Sequence, residues 1–165
     1  MRHANISLLL VVAGLLAACG FQLRGSYSLP FATISLSLAP TSEMYSALRR
    51  TIEASSAARV VVDPAQAEAI LTVLSDTTDK SILSLNASGR VREFQLVRSF
   101  SFKLANARNV DFILPAQISI RREITYSDDL VLSKESEEAL IRRDMQNDLV
   151  QQIMRRLTAA KLRTE

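Results

Sequence analysis

Glu93-Phe94-Gln95-Leu96-Val97-Arg98-Ser99-Phe100-Ser101-Phe102-Lys103-Leu104 is the stretch that decides the fold. Phe94, Leu96, Phe100, Phe102 and Leu104 fall on one side of an extended chain. Gln95, Ser99, Ser101 and Lys103 fall on the other, the period of two that marks a strand with one buried and one wet face. Just upstream, Asn86-Ala87-Ser88-Gly89 is a turn. Before it, Ile70 to Ser75 and Ile82 to Leu85 read as strand segments on either side of a polar stretch, Asp76 to Ser81. The whole reads as a long antiparallel hairpin. Downstream, Asn106 to Pro115 is expected to be a loop, and Gln117 to Tyr126 a fourth main strand with Ile118, Ile120, Ile124 and Tyr126 on one side.

Each long strand carries one misfit: Arg98 interrupts the apolar face of the first and Arg122 that of the second. A guanidinium there is either a snorkelling or bulged side chain reaching the sheet edge, or part of a pair facing an anionic ligand. A buried charge needs a partner in both cases.

Towards the N-terminus, Thr33 to Leu38 alternates as a half-buried strand, and Pro40 ends it. Thr41 or Ser42 can cap a helix that has Glu43 in its first turn, with Met44, Leu48 and Ile52 as its apolar stripe through about Ala54. Ala58 to Val62 reads as a buried parallel strand halted by Asp63-Pro64. Towards the C-terminus, Leu130 to Lys134 leads to a second helix capped by Ser136, with Glu137 and Glu138 against the positive end of its dipole. Its stripe is Ile141, Met145, Leu149, Ile153 and Leu157, widened by Leu140, Val150 and Met154; Arg155, Arg156, Lys161 and Arg163 crowd its end. The fold class expected is α/β, an α+β sandwich: a single-layer mixed four-stranded sheet with two helices packed on one face, in one domain over residues 33–163.

The N-terminus has a different character. Met1-Arg2-His3 is a short basic start, Ile6 to Ala18 is apolar, and Leu16-Ala17-Ala18-Cys19 closes the run. This is the layout of a secretory signal, and the run is too short to span a bilayer, which takes about 20 apolar residues. Leu-Ala-Ala-Cys resembles the lipobox of bacterial lipoproteins. That resemblance implies cleavage after residue 18, acylation of Cys19, and a lead segment over residues 19–32 that tethers the domain to a membrane. Gly20, where such lipoproteins retained at the inner membrane carry aspartate, implies export to the outer membrane.

Loss of residues 1–18 would leave 147 of the 165, enough for one core. The only histidine, His3, would leave with the signal and the only cysteine would be consumed by lipid. Ser-His-Asp and Cys-His catalysis are then excluded, as is zinc held by histidine or cysteine. Mature glycines are Gly20, Gly25 and Gly89, too few for a phosphate-cradling loop. Asp128-Asp129 and Glu137-Glu138 read better as turn and cap residues than as an acid–base pair. The expectation is a non-enzyme with no cofactor and no metal. No Lys/Arg run exceeds a pair, so nucleic acid is not an expected partner either.

Two stretches resemble a known family, the lipopolysaccharide-assembly lipoprotein LptE. They are Cys19-Gly20-Phe21-Gln22-Leu23-Arg24-Gly25 and Arg122-Glu123-Ile124-Thr125-Tyr126-Ser127-Asp128-Asp129-Leu130-Val131-Leu132-Ser133-Lys134. Asp144-Met145 and Arg155-Arg156-Leu157 fit the same pattern. The resemblance implies an outer-membrane lipoprotein that plugs and helps assemble the large LptD β-barrel and assists lipopolysaccharide transport. It also implies lipid-binding basic residues at the hairpin turn and before the last helix. Lys134 matches the second position. At the turn the matching place holds Ala87, and Arg90 and Arg92 supply the basic character instead. All three are candidates for lipid A phosphates through charge-assisted hydrogen bonds; the alternative is three solvated surface cations. A lipid-anchored auxiliary subunit of an ABC-type lipid transporter is the competing function.

Overall fold

The computed structural model describes residues 27–127 and 131–161. Cys19, the Gly20 to Gly25 motif, Asp128, Asp129 and Arg163 lie outside the described residues. In chain order the elements are β1 (Thr33–Ser37), α1 (Glu43–Ser55), β2 (Arg59–Val61), a 3-10 turn (Pro64–Gln66), β3 (Ala69–Leu85), β4 (Val91–Ala105), β5 (Asp111–Thr125) and α2 (Val131–Thr158).

The strands form one mixed sheet in the order β2-β1-β3-β4-β5. β1 runs parallel to β2 and β3, and the β3-β4-β5 meander is antiparallel. The class expected from the sequence holds, with five strands where four were expected. β2 is the parallel strand foreseen at Ala58 to Val62, but it is a three-residue edge element and half exposed, because only β1 pairs with it.

α1 starts as its sequence dictates: Ser42 Oγ accepts a hydrogen bond from the Tyr45 N–H at 3.1 Å, satisfying one of the first-turn donors. Met44, Tyr45, Ala47, Leu48 and Ile52 are buried on its inner face. The expected break in β3 is absent. Val73 pairs with Phe102 and Ser75 with Ser101, so Leu74 is the extra residue of a bulge. The bulge reverses the phase of the strand: Leu71 and Val73 face the helices before it, Asp76, Thr78, Lys80 and Ile82 after it. Two half-patterns out of phase thus belong to one 17-residue strand.

The expected loop from Asn106 to Pro115 shrinks to a tight turn, and β5 begins at Asp111. Asn106 Oδ1 accepts from the N–H groups of Arg108 and Val110, both at 2.9 Å, and Asn109 takes the left-handed conformation at φ 59°. The Asn86 turn repeats this plan, with Oδ1 accepting from Ser88 and Arg90 and Gly89 at φ 76°. Asparagine serves both because its side chain mimics a backbone acceptor. Pro115 is tolerated because β5 is an edge strand.

α2 begins five residues before the Ser136 cap expected from the sequence. Ser136 lies inside the helix, and its hydroxyl donates to the Leu132 carbonyl at 3.2 Å. Met145, Leu149, Val150, Ile153, Met154 and Leu157 are buried against the sheet. Leu140, expected in that stripe, is 57% exposed, and no residue from 132 to 144 is buried. The first half of α2 therefore stands off the sheet while the second half packs on it with α1. Of the segment before β1, Phe31 is buried in the core and the Tyr27 hydroxyl donates to Gln151 Oε1 of α2 at 2.8 Å.

The sheet face away from the helices is polar. Register aligns Thr77, Ser99 and Ser119 in one row across three strands, Ser75, Ser101 and Gln117 in a second, and Ser81, Gln95 and Glu123 in a third.

Candidate functional site

Lys134 lies at the end of the first turn of α2, over the far end of β5. Its Nζ donates to Thr125 Oγ1 at 3.0 Å and to Glu137 Oε2 at 2.7 Å, and the side chain is 18% exposed. It lines a cavity of about 250 Å³ between the raised half of α2 and the sheet. Phe94, Ile124 and Tyr126 supply the apolar lining, with Phe94 and Tyr126 edge to face at 5.4 Å. Lys80 and Glu138 complete the opposite side.

Arg92 reaches the same end of the molecule. Its carbonyl accepts from the Tyr126 N–H at 2.8 Å, its side chain is exposed, and it is the extra residue of a bulge between the Ser84–Glu93 and Leu85–Val91 pairs. Arg90 is two residues further out, where β4 leaves the turn, and is exposed. The three candidate cations therefore gather around one end of the hairpin and the start of α2.

Lys80 and Glu138, 58 residues apart in sequence, join the sheet to the raised part of α2 at 2.6 Å. Lys80 Nζ also sits 4.2 Å from the centre of the Phe94 ring. Glu138 receives Arg142 as well, at 2.6 Å. The Lys80 hydrogen bond, helped by Arg142 and opposed by partial burial, holds the Glu138 carboxyl below its usual value of 4.5. A lowered folded-state pKa means the interaction is fully stabilising above about pH 4.5 and is lost as pH falls through the lower folded value. At pH 7, Glu138→Gln should reduce stability by on the order of 0.5–1 kcal/mol, the scale of a partly exposed ion pair. Urea unfolding of both proteins at pH 7 and at a series of pH values below 4.5 checks this: the gap must narrow as pH falls, and a gap independent of pH would show that the carboxylate charge is irrelevant.

The Lys80–Glu138 partnership was missed from the sequence because it crosses elements, and the Glu138–Arg142 pair was missed although its i,i+4 spacing lies within α2. The usable signal was the Asp76, Thr78, Lys80 alternation, hidden by the phase reversal at Leu74.

The two misplaced arginines also find partners. Arg98 Nε and Nη2 donate to the two Asp76 oxygens at 3.1 and 2.9 Å, and Nη1 donates to Gln146 Oε1 of α2 at 3.1 Å. Arg122 pairs with Asp148 of α2. Both guanidiniums thus sit on the helix side of the sheet with acceptors supplied, which favours the structural reading of the pair. Arg98, Arg142 and Arg143 border a second cavity of about 430 Å³ beside Glu43. Among the described residues no cluster of histidine, cysteine, aspartate or glutamate is placed to hold a metal ion, and no helix is long and apolar enough to cross a membrane.

Residues 31–157 match the sequence model of the LptE lipopolysaccharide-assembly family. The chain belongs to the LptE family. The LPS-assembly lipoprotein LptE of Pectobacterium atrosepticum is 27% identical to it, covering 95% of this chain and 86% of that protein. The protein of the same name from Yersinia enterocolitica is 30% identical over 95% of this chain and 77% of its own length. Among solved structures, the solution NMR structure of a lipoprotein B from Nitrosomonas europaea superposes with a TM-score of 0.74 at 37% identity, covering 85% of this chain and 91% of that one. LptE membership makes this chain a lipopolysaccharide-assembly lipoprotein, the class expected from its two motifs.

Proposed function

We propose that this chain is anchored at the outer membrane by lipid on Cys19, plugs the lumen of the LptD β-barrel, and helps pass lipopolysaccharide outward without catalysing a reaction. The observation that carries the plug reading is the uncovered polar sheet face, with its rows of Ser, Thr and Gln. The interior of a large transmembrane barrel is polar, and a lumen that size has to be filled. A flat face of hydroxyls and amides meets such a wall through hydrogen bonds and bridging water. Lys134, Arg90 and Arg92 are the proposed contacts for lipid A phosphates, supported by their convergence at one end of the domain.

Two measurements test this. A mild-detergent pull-down of the tagged protein from its own membranes should bring down one large outer-membrane barrel in roughly equal amount. Recovery of an inner-membrane ATPase complex would instead establish the ABC-auxiliary alternative. In a lipopolysaccharide titration, Lys134→Ala should weaken binding about tenfold, the scale of one charge-assisted hydrogen bond, and Arg90→Ala and Arg92→Ala should each weaken it less. Unchanged affinity in all three variants would remove the phosphate assignment.

A further inference from the structure

The cations explain how an anionic head group is held, but they do not explain the apolar surface beside them. On the helix side of the sheet, Ile82 pairs across to Phe94, and Phe94 to Ile124, in one continuous row. Directly opposed side chains on one face are in contact range. Ile82 is nevertheless 58% exposed, and Leu83 and Leu85 beside it at the hairpin end are also exposed. Ile124 is buried at one end of the row, and the Ile82 end is open because no residue of α2 from 132 to 144 is buried, leaving a wedge between that part of the helix and the hairpin. Elsewhere the same side of the sheet is sealed by α1 and the second half of α2.

We propose that this wedge holds an acyl chain of lipid A, lying along Ile82, Phe94 and Tyr126 with the phosphorylated head at Lys134. The inference rests on the lipopolysaccharide reading above and adds to it where the fatty part goes. Charge complementarity selects an anionic amphiphile: Lys134 stands on one side of the apolar row and Lys80 on the other, with Arg92 exposed at the same end of the hairpin. The neighbouring carboxylates do not close the site to an anion. Glu138 keeps Arg142 when Lys80 turns to a phosphate, and Glu137 is 44% exposed and can move into water. Glu135 is exposed on the helix. Contiguous exposed apolar surface rimmed by polar groups is where lipids and other apolar partners bind, and each methylene buried there strengthens binding.

The test uses the mature chain with Cys19→Ala, so that neither its own lipid nor detergent competes for the wedge. Its ligands are intact lipid A and the fully deacylated phosphorylated disaccharide. The chain has no tryptophan, so Tyr126→Trp places a single reporter in the wedge. Intact lipid A should bind at least tenfold more tightly than the deacylated head. Ile82→Ser, at an exposed position that leaves the core untouched, should narrow that gap several-fold. Lipid A brominated in its acyl chains should quench the indole emission of the Tyr126→Trp variant saturably.

Equal affinity for the two ligands, or an Ile82→Ser variant with an unchanged gap and no quenching, overturns the acyl wedge. In that event Lys134→Ala still decides the phosphate reading independently, through its effect on the deacylated head. Conversely, a gap that responds to Ile82 while Lys134→Ala leaves both ligands unaffected keeps the wedge and removes Lys134. Binding of neither ligand overturns both.

Discussion

Replacing Phe100 with alanine should lower the unfolding free energy by about 3–5 kcal/mol, the cost of removing a large aromatic from a close-packed core. Phe100 is fully buried at the middle of β4, the strand with partners on both flanks. Its ring lies 5.9 Å from that of Phe102, and its cross-strand neighbours are Asp76 and the buried Ile118. No neighbour is placed to collapse into the space, because the sheet is fixed on both sides and the buried half of α2 closes it from above. A domain of this size has a total stability of about 5–15 kcal/mol, so the loss brings a large fraction of molecules to the edge of unfolding. Leu114→Ala, at a position 70% exposed on β5, is the control and should change stability by less than about 0.5 kcal/mol. Urea unfolding followed by circular dichroism measures both. A Phe100→Ala loss under about 1 kcal/mol would mean that the β4 row is not the centre of the core.

That row is also the part of the molecule most legible in the sequence, because strand alternation is local and Glu93 to Leu104 contains no bulge until its far end. α1 was equally plain, with a cap, an acid in the first turn and a single stripe. Legibility failed where a local pattern was reset by something non-local. At Leu74 one unpaired residue flips the strand, so Asp76 to Ser81 looks like a polar interruption although it is hydrogen-bonded throughout. At Asp111 to Pro115 the alternation is broken by register shifts and a proline that only an edge position allows. The start of α2 was misplaced because Ser136 and the two following glutamates imitate a cap. They work instead as side-chain partners: Ser136 for a carbonyl one turn back, Glu137 for Lys134, and Glu138 for Lys80. The candidate site divides the same way. Lys134, Arg90 and Arg92 came from a resemblance and from basic character near a turn. The apolar lining and the Lys80–Glu138 strap depend on contacts that no sequence window contains.

The arginine that broke the best pattern gives the second large effect. Asp76→Ala should destabilise the domain by about 2–4 kcal/mol, somewhat less than the breaking of a wholly enclosed pair, because water can reach the vacated site. The side chain of Arg98 is 13% exposed beneath α2, while that of Asp76 is 30% exposed. Both Asp76 oxygens are taken by Arg98 in a bidentate pair, and Nη1 donates to the buried Gln146. Without the carboxylate, the guanidinium keeps one neutral acceptor and a full charge in a poorly hydrated place. Arg98→Met removes that charge, and an unbranched chain of similar length can lie along the apolar row. The double variant Asp76→Ala/Arg98→Met should therefore recover most of the loss, giving a coupling of about 1–3 kcal/mol in a double-mutant cycle. The same cycle separates the two meanings the sequence left open for Arg98. A structural guanidinium makes the double variant stable and leaves lipopolysaccharide affinity unchanged. A ligand-facing one makes Asp76→Ala nearly neutral for stability and tightens binding, because the cation is released from its competitor, while Arg98→Met weakens binding. The bidentate geometry and the Gln146 contact, which ties Arg98 to the packed half of α2, favour the structural result.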